Sequence, residues 1–188
     1  VLRALAANAQ SVAELAISLT VSLMKDVLSL DSQVKAGGWP KTKYVGRDLA
    51  GAVFGVVGFG EIGQRAAALA RGLGMKVIAY DPFAADTSEV TVSRDLGEIL
   101  RAADVVSLHC PLMPQTHHLI NAERLSLMKQ DAFLINTARG AVVDQAALVT
   151  ALQTKSIAGA ALDSFEEEPP PSDSVLWTLP NLIATPHV

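Results

Sequence analysis

One stretch of this sequence, residues 53–63, constrains the fold more than any other. It reads V-F-G-V-V-G-F-G-E-I-G, an apolar run that leads directly into three glycines, Gly58, Gly60 and Gly63. The residues that follow, 64–73, are rich in Ala, Leu and Arg and predict a helix. A strand, a glycine-rich turn and a helix in this order are the context in which G-x-G-x-x-G indicates a phosphate-binding turn. We therefore predict a tight turn at Gly58, close backbone approach to a pyrophosphate at Gly60 and close helix packing at Gly63.

A second feature favours this interpretation over three glycines in an ordinary loop. Residues 76–80, K-V-I-A-Y, predict the next strand, which ends at Asp81. A carboxylate at this place accepts hydrogen bonds from both hydroxyls of an adenosine ribose and repels a 2′-phosphate. The free N–H groups at the start of the predicted helix would face the pyrophosphate. We therefore expect a dinucleotide cofactor, and NAD rather than NADP.

The composition excludes several other classes of function. Half of the 188 residues are hydrophobic and 18% are charged, as is typical of a globular domain. The formal net charge is −4 and no lysine or arginine run occurs, so we expect no nucleic acid and no membrane as partner. The only cysteine, Cys110, excludes an internal disulfide and a cysteine-based zinc site, and it fits the cytoplasm. We expect small molecules and further copies of the chain as partners, and no metal.

The rest of the chain alternates between predicted strands and helices. Residues 11–35 have apolar side chains at spacings of three and four and predict one long helix, whose broad apolar face could cover its own sheet or a second subunit. Further strands are predicted at residues 89–92, 104–110, 132–136, 157–162 and 181–184, and further helices at residues 95–102, 121–129 and 144–153. The alternation indicates an α/β fold of the Rossmann type, a doubly wound parallel sheet. Such sheets bind ligands at the carboxyl ends of the strands, where the strand order reverses.

Three of the predicted strands are followed by side chains that make chemical sense together. Arg139, in N-T-A-R-G, carries a planar fork of donors that suits a small carboxylate, and Gly140 after it permits an unusual turn. Residues 163–171, D-S-F-E-E-E-P-P-P, bring several carboxylates out in a loop, and His187 follows the last strand. A carboxylate beside a histidine raises the pKa of the imidazole, which can then deliver a proton near neutral pH. Hydride transfer to a carbonyl needs such a proton donor.

Each of these residues also has an ordinary structural interpretation. An arginine after a strand is more often a partner in a surface ion pair, and glutamates before prolines are most often solvated. His109 is expected at a strand end and the pair His117 and His118 on a loop, and none of the three is given a role. The case for chemistry therefore depends on the residues being found together.

Five motifs, in this order, resemble the signatures of the D-isomer-specific 2-hydroxyacid dehydrogenases, the family of the phosphoglycerate, D-lactate and glycerate dehydrogenases. They are G-F-G-E-I-G at 58–63, H-C-P-L-M-P-Q-T at 109–116, N-T-A-R-G at 136–140, D-S-F-E-E-E-P at 163–169 and T-P-H at 185–187. The sequence departs from the family at Ser164, where valine is usual. Nearly the whole chain is covered by the resemblance.

The resemblance implies the NAD-binding domain of an oxidoreductase that transfers a hydride between NAD(H) and a small D-2-hydroxy or 2-keto acid. Arg139 would bind and polarise the 2-keto acid, His187 would be the acid/base, and Glu168 would hydrogen-bond the histidine. The residues that the resemblance implies for cofactor binding are Gly58, Gly60, Glu61, Ile62, Gly63, Asp81, Cys110, Pro111, Thr116, Thr137, Ala138 and Asp163. Asp81 would hold the adenosine ribose and Asp163 the nicotinamide carboxamide.

Family members also form homodimers and contain a second, substrate-binding domain. The resemblance favours a dimer interface over residues 1–36. Because the sequence begins at Val1 rather than Met and lacks that second domain, we expect a piece of a longer protein that binds NAD but turns over poorly alone. An NAD(H)-sensing interaction module without turnover is the alternative, which the trio Arg139, Glu168 and His187 disfavours. Formate oxidation is disfavoured because related formate dehydrogenases carry glutamine where Glu168 stands.

Overall fold

A seven-stranded sheet forms the centre of the chain in the computed structural model, which describes residues 8–85 and 87–188. The strands are β1 (Val53–Val57), β2 (Lys76–Tyr80), β3 (Val92–Ser93), β4 (Val105–Leu108), β5 (Phe133–Asn136), β6 (Gly159–Leu162) and β7 (Leu182–Ala184). They lie in the order β3-β2-β1-β4-β5-β6-β7, and each neighbouring pair is parallel. This confirms the predicted Rossmann-type fold.

Helices cover both faces of the sheet. They are α1 (Ala9–Met24), α2 (Val27–Lys35), α3 (Glu61–Gly72), α4 (Leu96–Ala102), α5 (Ala122–Ser126) and α6 (Gln145–Gln153). Side chains of α1 and α3 belong to one buried apolar cluster, and those of α4, α5 and α6 to a second cluster on the other face. Asn121 and Asp144 cap α5 and α6, since Oδ1 of Asn121 accepts the Arg124 N–H and Oδ1 of Asp144 accepts the Ala147 N–H, each at 3.0 Å. Over residues 8–85 and 87–188, no helix is long and apolar enough to cross a membrane.

The single long helix predicted over residues 11–35 is wrong, because the chain forms two helices there. Asp26 separates α1 from α2 with φ of 51°, in the left-handed region. Aspartate tolerates this backbone but does not signal a break as glycine or proline does, and the apolar periodicity continues across it. α1 buries its apolar face, including Ala13 and Ala16, against α3 and the sheet, whereas α2 buries no residue. Residues 1–7 of the predicted dimer segment lie outside the described residues.

Other differences from the predicted elements are confined to their ends. The strand predicted at residues 89–92 is the two-residue strand β3, and those predicted at 104–110 and 157–162 are shorter. The helix predicted at 121–129 ends at Ser126, after which Leu127 and Met128 donate to carbonyls three residues back in a tighter turn. Ends of helices and strands fray in this way, and sequence patterns locate them poorly.

The strand order reverses at β1, which places the crevice of the fold. β2 and β3 lie on one side of β1, and β4 to β7 lie on the other. The carboxyl ends of β1 and β4 therefore flank a gap, and such gaps bind ligands in open parallel sheets. The segments beginning at residues 58, 81, 109, 137, 163 and 185 follow strand carboxyl ends and so lie along this edge.

Candidate active site

The turn between β1 and α3 leaves room for a phosphate group. Gly58 has φ of +94° and lies against the segment that follows β4, since a β-carbon on it would be 2.7 Å from the backbone nitrogen of Cys110. A β-carbon on Gly60, by contrast, would meet nothing within 4 Å. No protein contact therefore requires glycine at residue 60, and the open space lies at the start of α3, where no side chain caps the helix. This space suits an anion held by backbone N–H groups.

Glu61 and Ile62 begin α3, so their backbone N–H groups belong to the first turn, which has no intrahelical acceptors. The carboxylate of Glu61 is paired with Arg65 at 3.0 Å on the exposed side of the helix. This leaves the backbone, rather than the Glu61 side chain, available to a phosphate.

Asp81 follows β2, and backbone N–H groups hold its carboxylate. Oδ2 accepts the N–H of Phe59 at 2.8 Å, and Oδ1 accepts those of Phe83 and Ala84 at 2.8 and 3.0 Å. Burial by itself would raise the pKa of Asp81, but these bonds and the guanidinium of Arg94 outweigh it and lower the pKa. Asp81 is therefore an anion at neutral pH, tied through Phe59 to the glycine-rich turn.

The loop after β4 forms the opposite side of the crevice. Cys110 is buried, and burial, with a smaller effect of the Asp81 charge, raises the pKa of its thiol to about 11. The thiol is therefore uncharged and apolar. The hydroxyl of Thr116 donates to the carbonyl of Pro111 at 2.6 Å and accepts the N–H of Met113 at 2.8 Å. Thr116 thus shapes the loop through bonds to its own backbone.

Three buried side-chain polar atoms have no hydrogen-bond partner within the described ranges, namely His109 Nδ1 after β4, Thr137 Oγ1 after β5 and Gln145 Oε1 at the start of α6. Burial lowers the pKa of His109 to about 4, so its ring is neutral, and Nε2 lies 2.9 Å from the hydroxyl of Ser107. A buried polar group without a partner costs about 1–3 kcal/mol. A polar ligand along the strand ends could supply partners for His109 and Thr137, so the edge fits a dinucleotide.

Asn136, to which the sequence reasoning gave no role, holds the turn that carries Arg139. Its Nδ2 donates to the carbonyl of Arg139, and its Oδ1 accepts the N–H of Ala138, both at 3.0 Å. The guanidinium of Arg139 in turn donates to the carbonyl of Ala138 at 2.7 Å. An asparagine at the end of a buried strand, followed by a glycine, is the signal that could have identified this turn.

The predicted reason for Gly140 is wrong. Gly140 begins a short 3-10 turn, Gly140–Val142, and its backbone is not in the left-handed region. Instead, a β-carbon on it would lie 1.9 Å from the carbonyl carbon of Phe165. The glycine therefore allows the Arg139 turn to pack directly on the loop after β6.

Glu168 and His187 form a hydrogen-bonded pair. Oε2 of Glu168 lies 2.8 Å from Nδ1 of His187, and Oε1 accepts the N–H of Phe165 at 3.0 Å. The Phe165 N–H is the main cause that lowers the pKa of Glu168, followed by His187, with a smaller effect of the Arg139 charge. The carboxylate is therefore ionised at neutral pH, beside one imidazole nitrogen.

Asp163 fixes the chain on both sides of His187. Its Oδ1 accepts the hydroxyl of Thr185 at 2.6 Å and the N–H of Val188 at 3.3 Å, and the residue is buried. Ser164, the departure from the family pattern, is also buried, and its hydroxyl donates to the carbonyl of Ala138 at 3.3 Å. These bonds join the ends of β5, β6 and β7.

The structure thus brings Arg139, Glu168 and His187 to one edge. Gly140 packs on Phe165, and Phe165 binds Glu168, which binds His187. A hollow of about 710 Å³ beside Gln130, Lys155 and Asn181 lies at the other end of the sheet and contains none of the predicted site residues. The edge with the carboxyl ends is therefore the candidate active site.

Comparison with known proteins gives consistent matches over almost the whole chain. Residues 17–188 match the family model described as D-isomer specific 2-hydroxyacid dehydrogenase, NAD binding domain. One similar relative is (S)-sulfolactate dehydrogenase of Chromohalobacter salexigens, which is 45% identical over a match that covers 100% of this chain and 62% of the relative. Another is D-3-phosphoglycerate dehydrogenase of Methanocaldococcus jannaschii, which is 40% identical over a match that covers 96% of this chain and 35% of the relative. The solved structure of a D-lactate dehydrogenase from Sporolactobacillus sp. is 40% identical in sequence and superposes with a TM-score of 0.89. The match covers 96% of this chain and 58% of the dehydrogenase chain. The chain spans less than two thirds of the length of each of these relatives.

Proposed function

Because the chain belongs to the D-isomer specific 2-hydroxyacid dehydrogenase family, as its NAD-binding domain, we propose that it binds NAD(H) for hydride transfer between a small 2-hydroxy acid and the corresponding 2-keto acid. The family expected from the five sequence motifs is confirmed. We place the activity in the cytoplasm, which the single unpaired cysteine, Cys110, supports.

The cofactor is held, in this proposal, along the carboxyl ends of the strands. Backbone N–H groups of Glu61 and Ile62 bind the pyrophosphate beside Gly60, where the structure has open space. Asp81 accepts the ribose hydroxyls with the lone pairs that its three backbone donors leave free.

The remaining predicted cofactor residues follow β4, β5 and β6. Cys110 and Pro111 lie beside the adenosine portion, in a loop that Thr116 shapes. Thr137 and Ala138 lie near the nicotinamide, where the hydroxyl of Thr137 lacks a partner in the described part of the chain. Asp163 receives the carboxamide on Oδ2, since its two hydrogen bonds use Oδ1. When bound, NADH supplies the hydride.

The chain's own residues bind the acid and move the proton. The guanidinium of Arg139 takes the carboxylate of the 2-keto acid and polarises the carbonyl group. Because Nδ1 of His187 faces Glu168, the proton for the developing alkoxide comes from Nε2. The Glu168 carboxylate stabilises the imidazolium and fixes the direction of the ring. In the reverse reaction the neutral imidazole removes the proton from the hydroxyl group.

One observation carries this proposal, namely the ionised Glu168 at 2.8 Å from His187 with the Arg139 turn packed on the same loop. An NAD(H) sensor would need the cofactor residues but not this arrangement, and no observation on the described residues favours a sensor.

The test is a steady-state assay of the full-length protein with NADH and a panel of 2-keto acids. We expect NADH oxidation with at least one of them, and product analysis should give the D-hydroxy acid. NADH binding without turnover on any member of the panel would contradict the dehydrogenase assignment and favour the sensor.

We propose further that the protein is a homodimer, with α2 and the segment after it in the interface. α2 buries no residue in the single chain. Large apolar side chains are exposed on it and on the following segment, namely Val27, Leu28, Val34, Trp39 and Val45. Several large exposed apolar side chains within one segment are typical of a protein interface, and a second copy would cover them.

A further inference from the structure

His118 and Glu166 join two loops at the edge of the candidate active site. Nε2 of His118, in the loop after β4, lies 2.7 Å from Oε1 of Glu166, in the loop after β6. The same oxygen accepts the N–H of Gln145, the first residue of α6, at 3.3 Å. The backbone N–H of His118 donates to the carbonyl of Ala141 at 2.8 Å. The pair therefore connects the segments that follow three neighbouring strands.

The local geometry fixes the His118 ring towards this contact. His118 has φ of +49°, a backbone region in which residues other than glycine are uncommon. Its ring stacks on that of His117, with ring centres 4.0 Å apart. The imidazole is therefore held by two contacts, the stacking on His117 and the bond to Glu166. The H-H pair, which has no role in the sequence interpretation, is thus an organised element of this edge.

Glu166 lies within the loop that positions the catalytic groups. Phe165, directly before it, donates its N–H to Glu168, which binds His187. A β-carbon on Gly140 would lie 2.4 Å from the nitrogen of Glu166, so the Arg139 turn packs against this same backbone. A displacement of Glu166 would therefore change the position of Glu168 relative to Arg139.

We propose that His118 and Glu166 are positioning residues, whose contact holds the 165–168 loop in the place that lets Arg139 and His187 act on one substrate molecule. The inference rests on the proposed dehydrogenase function. Neither residue touches the reacting atoms in this proposal. Their effect passes through the backbone of Phe165 and Glu166 to Glu168.

The test uses His118→Gly, Glu166→Gln and the double variant in the full-length protein. Glycine removes the imidazole and readily adopts the left-handed backbone of residue 118, and glutamine removes the charge of Glu166 at constant size. The two side chains are 38% and 32% exposed, so we expect all three variants to fold. The matched control is Glu167→Gln, because Glu167 is exposed and makes no hydrogen bond or ion pair within residues 8–85 and 87–188.

We expect each single variant to lower kcat for the 2-keto acid by about 10-fold, because a small misplacement of catalytic groups is costly. KM for the 2-keto acid and Kd for NADH should stay within about twofold of the wild-type values, since Arg139 and the cofactor residues remain. The double variant should be no slower than the single variants, because both substitutions act on the same contact. Glu167→Gln should have the kcat of the wild type.

Three results would overturn the inference while leaving the dehydrogenase function intact. In the first, both single variants have the same kcat as Glu167→Gln. In the second, the losses of kcat in the single variants multiply in the double variant. In the third, the loss of kcat is accompanied by an equal loss of affinity for NADH. A wild-type protein that reduces no 2-keto acid would overturn the proposed function and this inference together.

Discussion

Gly63, in the first turn of α3, packs so closely on Gly58 that a β-carbon on it would lie 2.2 Å from the Gly58 carbonyl oxygen. Gly63→Ala must therefore displace backbone, and we expect it to lower the free energy of unfolding by about 1–3 kcal/mol. Gly60→Ala is the matched control for stability, because its β-carbon would meet no protein atom within 4 Å. Urea denaturation of the two variants of this chain measures the difference.

The same two variants separate folding from cofactor binding. We expect Gly60→Ala to keep the stability of the wild type but to weaken NAD binding by about 10-fold, because a methyl group would occupy the space proposed for the pyrophosphate. Calorimetric titration with NAD measures the affinity. Wild-type affinity in Gly60→Ala would show that the phosphates do not approach the backbone at residue 60.

Asp81 should set the preference for NAD over NADP. Asp81→Asn removes the charge that repels a 2′-phosphate and weakens the bonds to the ribose hydroxyls. We expect NAD affinity to fall about 10-fold, which is the loss of one hydrogen bond to a charged group, and the preference over NADP to disappear. Titrations of this chain with NAD and with NADP measure both affinities. The control is Asp173→Asn, because Asp173 is exposed and forms no ion pair in the described ranges. Equal affinity of the wild type for NAD and NADP would already contradict the assignment.

His187 should be needed for chemistry but not for cofactor binding. His187 has φ of +58°, so His187→Asn is the suitable variant, since asparagine tolerates this backbone and cannot donate a proton as an acid. We expect kcat of the full-length protein to fall by about 10²–10⁴-fold with unchanged Kd for NADH. Steady-state assays and titrations provide both numbers. A kcat within a few fold of wild type would assign the proton donor elsewhere.

Asp104 should make stability depend on pH. Its Oδ2 accepts the N–H of Val53 at 2.7 Å, and Oδ1 pairs with Lys129 at 2.9 Å and with Arg47 at 3.3 Å. Burial tends to raise the pKa of Asp104, but these contacts outweigh it and lower the pKa below its ordinary 3.8. We expect Asp104→Asn to lower the free energy of unfolding by about 1–3 kcal/mol at neutral pH.

The sign of the pH effect follows from the lowered pKa. The contribution of the carboxylate is complete above the unfolded-state pKa and is lost as the pH falls through the lower pKa of the folded state. The difference in free energy of unfolding between the wild type and Asp104→Asn should therefore become smaller below about pH 4. Urea denaturation at neutral and acid pH checks this, and a difference that does not change with pH would exclude the charge as its cause.

The exposed surface of α2 should hold the dimer together. Leu28 is 54% exposed, and a glutamate there places a charge in the proposed interface without disturbing a buried side chain. We expect a dimeric wild-type protein and a monomeric Leu28→Glu variant by light scattering. Leu73→Glu, which replaces a leucine that is 43% exposed at the end of α3, should remain dimeric. A monomeric wild type, or a Leu28→Glu variant that stays dimeric, would contradict this interface.

The sequence predicted the fold class because its signals are local. The first strand, the glycine-rich turn and the helix follow one another between residues 53 and 72. The alternation of the later strands and helices indicates a parallel sheet. Asp26 shows the limit of such signals, because its left-handed backbone ends a helix within an unbroken apolar period. Gly140 shows another limit. Glycine is needed there because the backbone of Phe165, which is distant in the sequence, leaves no room for a β-carbon.

The sequence by itself determined which residue types stand at the strand ends, and with them the family and the candidates Arg139, Glu168 and His187. Only the tertiary structure decided which of them meet: that Asp163 holds the backbone on both sides of His187, and that His118 reaches Glu166. The physical reason is that secondary structure and turns depend on neighbours along the chain, whereas these contacts depend on how strands 20 or more residues apart are placed side by side.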